Sequence, residues 1–196
     1  EERIDPFALS EPWRHYVQDA LQARRRFQDA VAGARRGPLH DRLVEIEERV
    51  ETGLREVWRI ARRGHDLVDA RRRVDPDSIR REIAATQATV GSTGDANGTT
   101  ARTMEALRAQ LATVERLEGV IADADSRLRL LNARLDEAAA RTIELSVQAS
   151  DAADLGGLSQ DVDDMVDEME ALRLAIEETG GGRPGDALGG SMADPG

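Results

Sequence analysis

The feature that most constrains the fold of this chain is the spacing of its apolar residues, which recur at alternating intervals of three and four. In the first such segment they are Trp13, Tyr16, Ala20, Ala23, Phe27, Ala30 and Ala34. This spacing lines up the side chains as one stripe along an α-helix, and another helix must cover that stripe. The pattern therefore predicts an all-α fold.

The alternation returns in later segments of the chain. Between Leu39 and Val74 a second stripe, through Leu54, Ala61 and Val68, runs beside the first. Two adjacent stripes predict at least three helices packed together. We expect an elongated antiparallel helical hairpin or bundle with long, coiled-coil-like helices. Twelve residues represent its packing seams: Trp13, Tyr16, Phe27, Leu43, Val50, Val57, Leu128, Leu131, Leu135, Met165, Met169 and Leu172.

Capping and breaking signals divide the chain. Ser10 is the expected N-cap of the first helix, Gly37-Pro38 stops that helix near Arg36, and Ser78 caps a third helix. Gly156-Gly157 is expected to end or bend the path, and Ser159 to cap the last helix. The expected organisation is an irregular lead-in at 1–9, a hairpin with a short third helix at 10–90, a flexible linker at 91–100, an acidic segment at 101–179 with helices at about 101–150 and 158–178, and a disordered tail at 180–196.

Charge is unevenly distributed along the chain, whose net charge is −11. Residues 1–90 hold 18 arginines against 17 acidic residues, whereas residues 91–196 hold 9 against 21. Nucleic acid is a poor partner for such an acidic second half. All 27 basic residues are arginine, a bias typical of a GC-rich genome, and there is no cysteine, which excludes disulfides and thiolate metal sites.

No motif for catalysis, metal or cofactor binding stands out. His15, His40 and His65 lie apart, without an HExxH-like arrangement, and the serines and threonines show no His–acid pattern typical of a nucleophile. The glycine-rich run from Gly91 to Gly98 lacks the phosphate-loop pattern. We therefore expect a protein that is not an enzyme and that binds neither a metal nor a cofactor.

Arginine clusters are the candidate contact sites. Two of them, Arg24-Arg25-Arg26 and Arg71-Arg72-Arg73, are candidates for an anionic surface or an acidic partner. The favoured alternative is pairing with acidic residues of the same chain, which are interleaved every few positions. Trp58 flanks the second stripe and is a candidate contact for a third helix or a partner.

The length of the helix seams predicts a non-enzymatic helical scaffold or adaptor that self-associates or docks to a protein partner. A first alternative is a membrane-peripheral remodelling or stress protein, because long helical hairpins with arginine clusters resemble the phage-shock and ESCRT-III-like group in architecture. A membrane surface is not the favoured partner. A second alternative is the cytoplasmic coiled-coil domain of a membrane-anchored protein. With no apolar stretch of about 18 residues, we expect a cytoplasmic protein, with any membrane association through a segment outside this chain.

Overall fold

The structure is a computed structural model that describes residues 3–93, 98–147 and 152–181. These ranges are all-helical and contain no strand, as predicted. No helix within them has the length and apolar character needed to cross a bilayer. A short 3-10 turn at Pro6–Ala8 is followed by five helices, α1 Trp13–Gly33, α2 Pro38–Arg72, α3 Pro76–Thr93, α4 Gly98–Val147 and α5 Ala152–Gly181.

The start of α1 differs from the prediction. Pro12 occupies the N-cap position without a side-chain cap, and the helix ends at Gly33 rather than near Arg36. The predicted N-cap, Ser10, instead directs its hydroxyl and its backbone N–H to His65 Nδ1 on α2. The cap prediction is wrong because a tertiary acceptor competes for the same side chain. Gly37 supplies the break before α2 with a φ of 154°, a backbone conformation that favours glycine.

The start of α3 and the expected linker also differ from the predictions. Asp75 Oδ1 accepts the backbone N–H of Asp77 at 3.0 Å, so Asp75 caps α3 in place of Ser78 and Pro76 fills the first helical position. Residues 91–93 end α3 and residues 98–100 begin α4. The linker prediction is therefore wrong at both of its ends, and residues 94–97 lie outside the described residues.

The path through Gly156-Gly157 is continuous helix. α5 begins at Ala152 and runs through both glycines, so the predicted break and the predicted cap at Ser159 are wrong. Leu155 and Leu158 on either side are buried in the core, and this packing outweighs the low helix propensity of glycine. The predicted tail at 180–196 falls outside the described residues beyond residue 181.

Four helices share the main core. The large cluster of buried apolar side chains draws its helical members from α1, α2, α4 and α5. α1 and α5 each contact both α2 and α4, and α2 also contacts α4. The described residues give no contact between α1 and α5, so these two helices lie on opposite sides of the α2–α4 pair.

Side-chain contacts give the relative directions of the helices. Arg24 pairs with Glu51, and Gln28, one turn later, bonds to Glu47, so α1 and α2 run in opposite directions. The α1 contacts with α4 are Tyr16–Asp125 and Arg26–Asp136, so those helices run in the same direction.

α5 follows the direction of α2. Arg49 bonds to Asp163, and Glu56, two turns later on α2, bonds to Arg173. Against α4 the order is reversed, because Arg134 pairs with Glu168 while Arg141 pairs with Asp161.

Gly64 makes room for the largest core side chain. A Cβ built on this residue would lie 2.5 Å from the ring of Trp13, which is fully buried. An indole ring of α1 therefore packs directly against the backbone of α2 at this glycine. Gly119 on α4 is the opposite case, because a Cβ there would meet nothing within 4 Å.

We predict opposite effects for the same substitution at these two glycines. Gly64→Ala should lower the free energy of unfolding by about 1–2 kcal/mol, because the cost of overpacking exceeds the gain in helix propensity. Gly119→Ala should raise it by roughly 0.5–1 kcal/mol through propensity alone. Urea denaturation followed by circular dichroism measures both, and a stabilised Gly64→Ala protein would contradict the packing of Trp13 on Gly64.

Candidate interaction surface

The predicted seam residues lie inside the chain. All twelve are buried in the main core, among them Trp13 on α1, Leu43 on α2, Leu128 on α4 and Met165 on α5. A stripe that is covered by helices of its own chain offers nothing to another molecule. Any interaction surface must therefore be sought away from these seams.

The cluster Arg24-Arg25-Arg26 is mostly paired. Arg24 lies 2.6 Å from Glu51 on α2, and Arg26 lies 3.0 Å from Asp136 on α4. Arg25 is exposed, with no charged or hydrogen-bonding partner among the described residues. The first two arginines thus join helices of the bundle.

The cluster Arg71-Arg72-Arg73 follows the same pattern at the end of α2. Arg71 Nε donates to Glu118 on α4 at 2.7 Å, and Arg72 lies 3.3 Å from Asp69. The side chain of Arg73 is exposed and has no charged or hydrogen-bonding partner in the described part of the chain. Pairing within the chain therefore accounts for four of the six candidate arginines.

Two polar contacts between helices had no signal in the sequence. Glu56 is buried, and its carboxylate is held by Arg59 at 2.8 Å and by Arg173 of α5 at 2.7 Å. The pKa of Arg173 is raised above its ordinary value, chiefly by its hydrogen bond to Glu177 and further by Glu56. Because the partners are more than 100 positions apart, periodicity does not reveal them.

The second contact surrounds Tyr16 on α1. Its hydroxyl donates to Asp125 at 2.6 Å and accepts from Arg129 at 3.3 Å, while buried Asn132 donates to the Tyr16 carbonyl at 2.8 Å. Burial raises the pKa of Tyr16, and the hydrogen bond to Asp125 raises it further, against a smaller lowering by Arg129. The cluster fixes the register of α1 on α4.

The structure brings together one Ser–His–Asp group. Ser10 Oγ lies 2.9 Å from His65 Nδ1, and Asp69 lies 3.6 Å from His65 Nε2. The expectation that no serine has a His–acid arrangement is therefore wrong, because α2 supplies partners far away in sequence. The single lone pair of Nδ1 also accepts the backbone N–H of Ser10 at 3.3 Å. This geometry ties the start of α1 to α2.

The groove between α4 and α5 has a volume of about 390 Å³ and contains charges that are already paired. Arg134 is bound to Glu168, and Arg141 to Asp161. Over the described ranges, no group of three or more His, Cys, Asp or Glu side chains could hold a metal ion.

The most exposed part of the fold is a two-helix arm, which we define as α3 together with residues 98–117 of α4. α4 has 50 residues and is about 75 Å long, whereas α2 has 35 and is about 52 Å long. The contact of Arg71 with Glu118 marks where α2 ends beside α4. Before that point the stretch of α4 from 98 to 117, about 30 Å long, lies beside α3.

The arm has a small core of its own. The cluster within it contains Ile79, Leu107 and Val114, and Met104 is also buried. The described outer surface carries small side chains, namely Ala84, Ala85, Ala88, Ala106, Ala109 and Ala112. Two helices with so little buried apolar area gain little stability from each other, and small exposed side chains let another helix approach closely.

No protein-family model matches this chain, and comparisons with the curated proteins and with the solved structures found no significant match. Its function is therefore argued from its own residues.

We predict that Tyr16 titrates late and couples to folding. Because its pKa is raised in the folded state, the stability that it contributes is present below about pH 10 and is lost as pH rises through the folded value. The chain has one tyrosine, no lysine and no cysteine, so tyrosinate absorbance reports this residue alone. Urea denaturation at increasing alkaline pH should show the matching loss of stability.

The control for this titration is Tyr16→Phe, whose free energy of unfolding should be flat over the same alkaline range. An absorbance midpoint at or below that of the urea-unfolded chain would contradict the environment described for the Tyr16 hydroxyl.

Proposed function

We propose that this chain is a non-enzymatic helical scaffold, in which the α1/α2/α4/α5 bundle is the base and the arm mediates self-association or docking to a protein partner. In this proposed scaffold, α1 and α2 form an antiparallel hairpin with coiled-coil-like packing. The observation that carries the proposal is the arm itself, in which α4 continues for about 30 Å past the end of α2, and α4 is the only helix that α3 contacts among the described residues.

Energetics favour this role for the arm. The bundle buries all twelve seam residues, and the large apolar side chains that its described part leaves exposed are Leu130, Ile143, Val147 and Leu174. The arm buries Ile79, Met104, Leu107 and Val114 among its described side chains. A second helical surface placed on the arm would add apolar burial where the chain has least.

Charge also favours the arm as the contact. Residues 76–93 and 98–117 carry five arginines and four acidic residues, whereas the whole chain has a net charge of −11. Like charges repel an approaching copy over about 8 Å at physiological salt. The nearly neutral arm therefore repels a second copy, or another acidic protein, less than the acidic residues 118–196 do.

The test places charge on the exposed surface of the arm. The double variant Ala84→Glu and Ala88→Glu adds two carboxylates one turn apart on α3, and Ala133→Glu with Ala140→Glu is the matched control on exposed positions of the bundle. In sedimentation velocity, we expect the mass of the wild type and of the control to rise with concentration, and that of the arm variant to stay at the monomer.

If the wild type stays monomeric at all concentrations, docking to a protein partner is tested instead. The proposal is then supported by a partner that the wild type and the bundle control retain in affinity capture and that the arm variant loses. Behaviour of the arm variant like that of the wild type in both experiments would contradict it.

The membrane-peripheral alternative is supported by Arg25 and Arg73, the two members of the arginine clusters that have no charged partner among the described residues. Flotation with vesicles that contain phosphatidylglycerol tests it, with salt-sensitive binding expected and lost in the Arg25→Glu, Arg73→Glu variant. Absence of binding at low salt would eliminate this alternative.

A further inference from the structure

A cavity of about 810 Å³ lies where the N-terminal segment meets α1 and α2. Its apolar wall is formed by Ile4, Leu21 and the indole of Trp58, and its remaining lining residues are four arginines and one glutamate. Sequence reasoning placed Trp58 beside the second stripe as a contact for a helix or a partner. In the structure Trp58 is a buried member of the main core, and its ring also borders this basic cavity.

Trp58 contributes a buried donor without an acceptor. The side chain is 5% exposed, and its Nε1–H has no hydrogen-bond partner. A buried N–H group without an acceptor is costly, and native proteins seldom leave one. The nitrogen has almost no accessible surface, so it is the apolar part of the indole that faces the cavity.

The arginines of the cavity fall into two pairs. Arg24 and Arg59 are neutralised, because Arg24 lies 2.6 Å from Glu51 and Arg59 lies 2.8 Å from Glu56. Arg3 has no charged or hydrogen-bonding partner among the described residues, and Arg55 donates to the hydroxyl of Thr52 at 3.0 Å. Two guanidinium groups at the cavity thus have no carboxylate partner among the described residues.

An adjoining groove limits where an anion can bind. Arg24, Glu51 and Arg55 also border this second depression, whose further lining includes Glu47 and Glu48. An anion is repelled there, whereas the cavity beside Trp58 has more positive charge than negative. A negatively charged group therefore belongs on the side of Arg3 and Trp58.

We propose that this cavity binds a small amphipathic anion, a carboxylate or phosphate carried on an apolar chain. Arg3 and Arg55 bind the anionic group, since a planar guanidinium donates two parallel hydrogen bonds to such oxygens. Ile4, Leu21 and the Trp58 ring cover the apolar chain, as is typical of small-molecule sites.

The test observes the indole that lines the cavity. The chain has two tryptophans, so the ¹⁵N-labelled full chain gives two indole N–H signals, and the variant Trp58→Phe assigns them. We expect octanoate or octyl phosphate to shift the Trp58 signal saturably, because the apolar chain packs against its ring. Whichever of the two binds more tightly identifies the anionic group.

The indole of Trp13 is an internal control. Its Nε1–H also lacks an acceptor, and its ring borders a separate cavity of about 410 Å³. The arginines there are already paired, Arg71 with Glu118 and Arg129 with Asp125. An anion should therefore leave the Trp13 signal in place, and equal shifts of both signals would overturn the proposal.

Probes and variants separate the two parts of the site. Octanol, which has no charge, should not shift the Trp58 signal, and inorganic phosphate, which has no chain, should bind at least tenfold more weakly than octyl phosphate. The variant Arg3→Ala, Arg55→Ala should weaken binding at least tenfold, while Arg25→Ala, at an exposed unpaired arginine elsewhere on α1, should not change it. Binding of octanol as tight as that of octanoate, or no shift with any probe, would overturn the proposal.

Discussion

The apolar stripes of α1, α2, α4 and α5 leave water only by facing one another, and the remaining structure is arranged around that burial. The centre of this arrangement is the contact of the Trp13 ring with Gly64, where the largest side chain of the core fits because α2 has no side chain at that point. Close-packed interiors tolerate little change in volume, so this contact fixes how near α1 lies to α2. Its effect reaches α4 through Tyr16, one turn further along α1.

Polar contacts then determine which way the stripes meet. Apolar side chains attract without direction, so a stripe by itself accepts several registers. The bonds of Tyr16 with Asp125 and Asn132, and of Glu56 with Arg173, each join two helices at one register. A buried carboxylate such as that of Glu56 is stable only beside its partners, and a shifted register removes Arg173 and leaves it only Arg59 of its own helix.

The bundle buries many more apolar side chains than the arm does, and this difference connects the fold to the proposed function. In the bundle every seam is covered by helices of the same chain, whereas the arm extends about 30 Å past the end of α2 with a small core. The cavity beside Trp58 is a separate feature of the base. A scaffold arm and an anion site at different places on one chain would allow a small molecule and a protein to bind at once.

The helical fold and the residues of its core could be predicted from the sequence. The spacing of apolar residues along one helix is a local property, and it shows which side of that helix is buried. Trp13, Leu43, Leu128 and Met165 were identified as core residues in this way, and all four are buried. Local signals failed where a distant group competed for the same atoms. Ser10 bonds to His65 instead of capping α1, and α5 continues through Gly156-Gly157 because Leu155 and Leu158 pack in the core.

Three features could be read only from the packed helices: which helix covers the apolar stripe of which other helix, where the arm leaves the bundle, and which of the cluster arginines have no partner among the described residues. Arg24 and Arg25 are neighbours in sequence, yet only the first meets a carboxylate, because successive residues of a helix point about 100° apart and α2 lies on one side. The cavity at Trp58 likewise depends on Arg3, Leu21 and Arg55, which come from three segments. Contacts of this kind are set by how helices pack in space, and the spacing of residues along one helix carries no record of them.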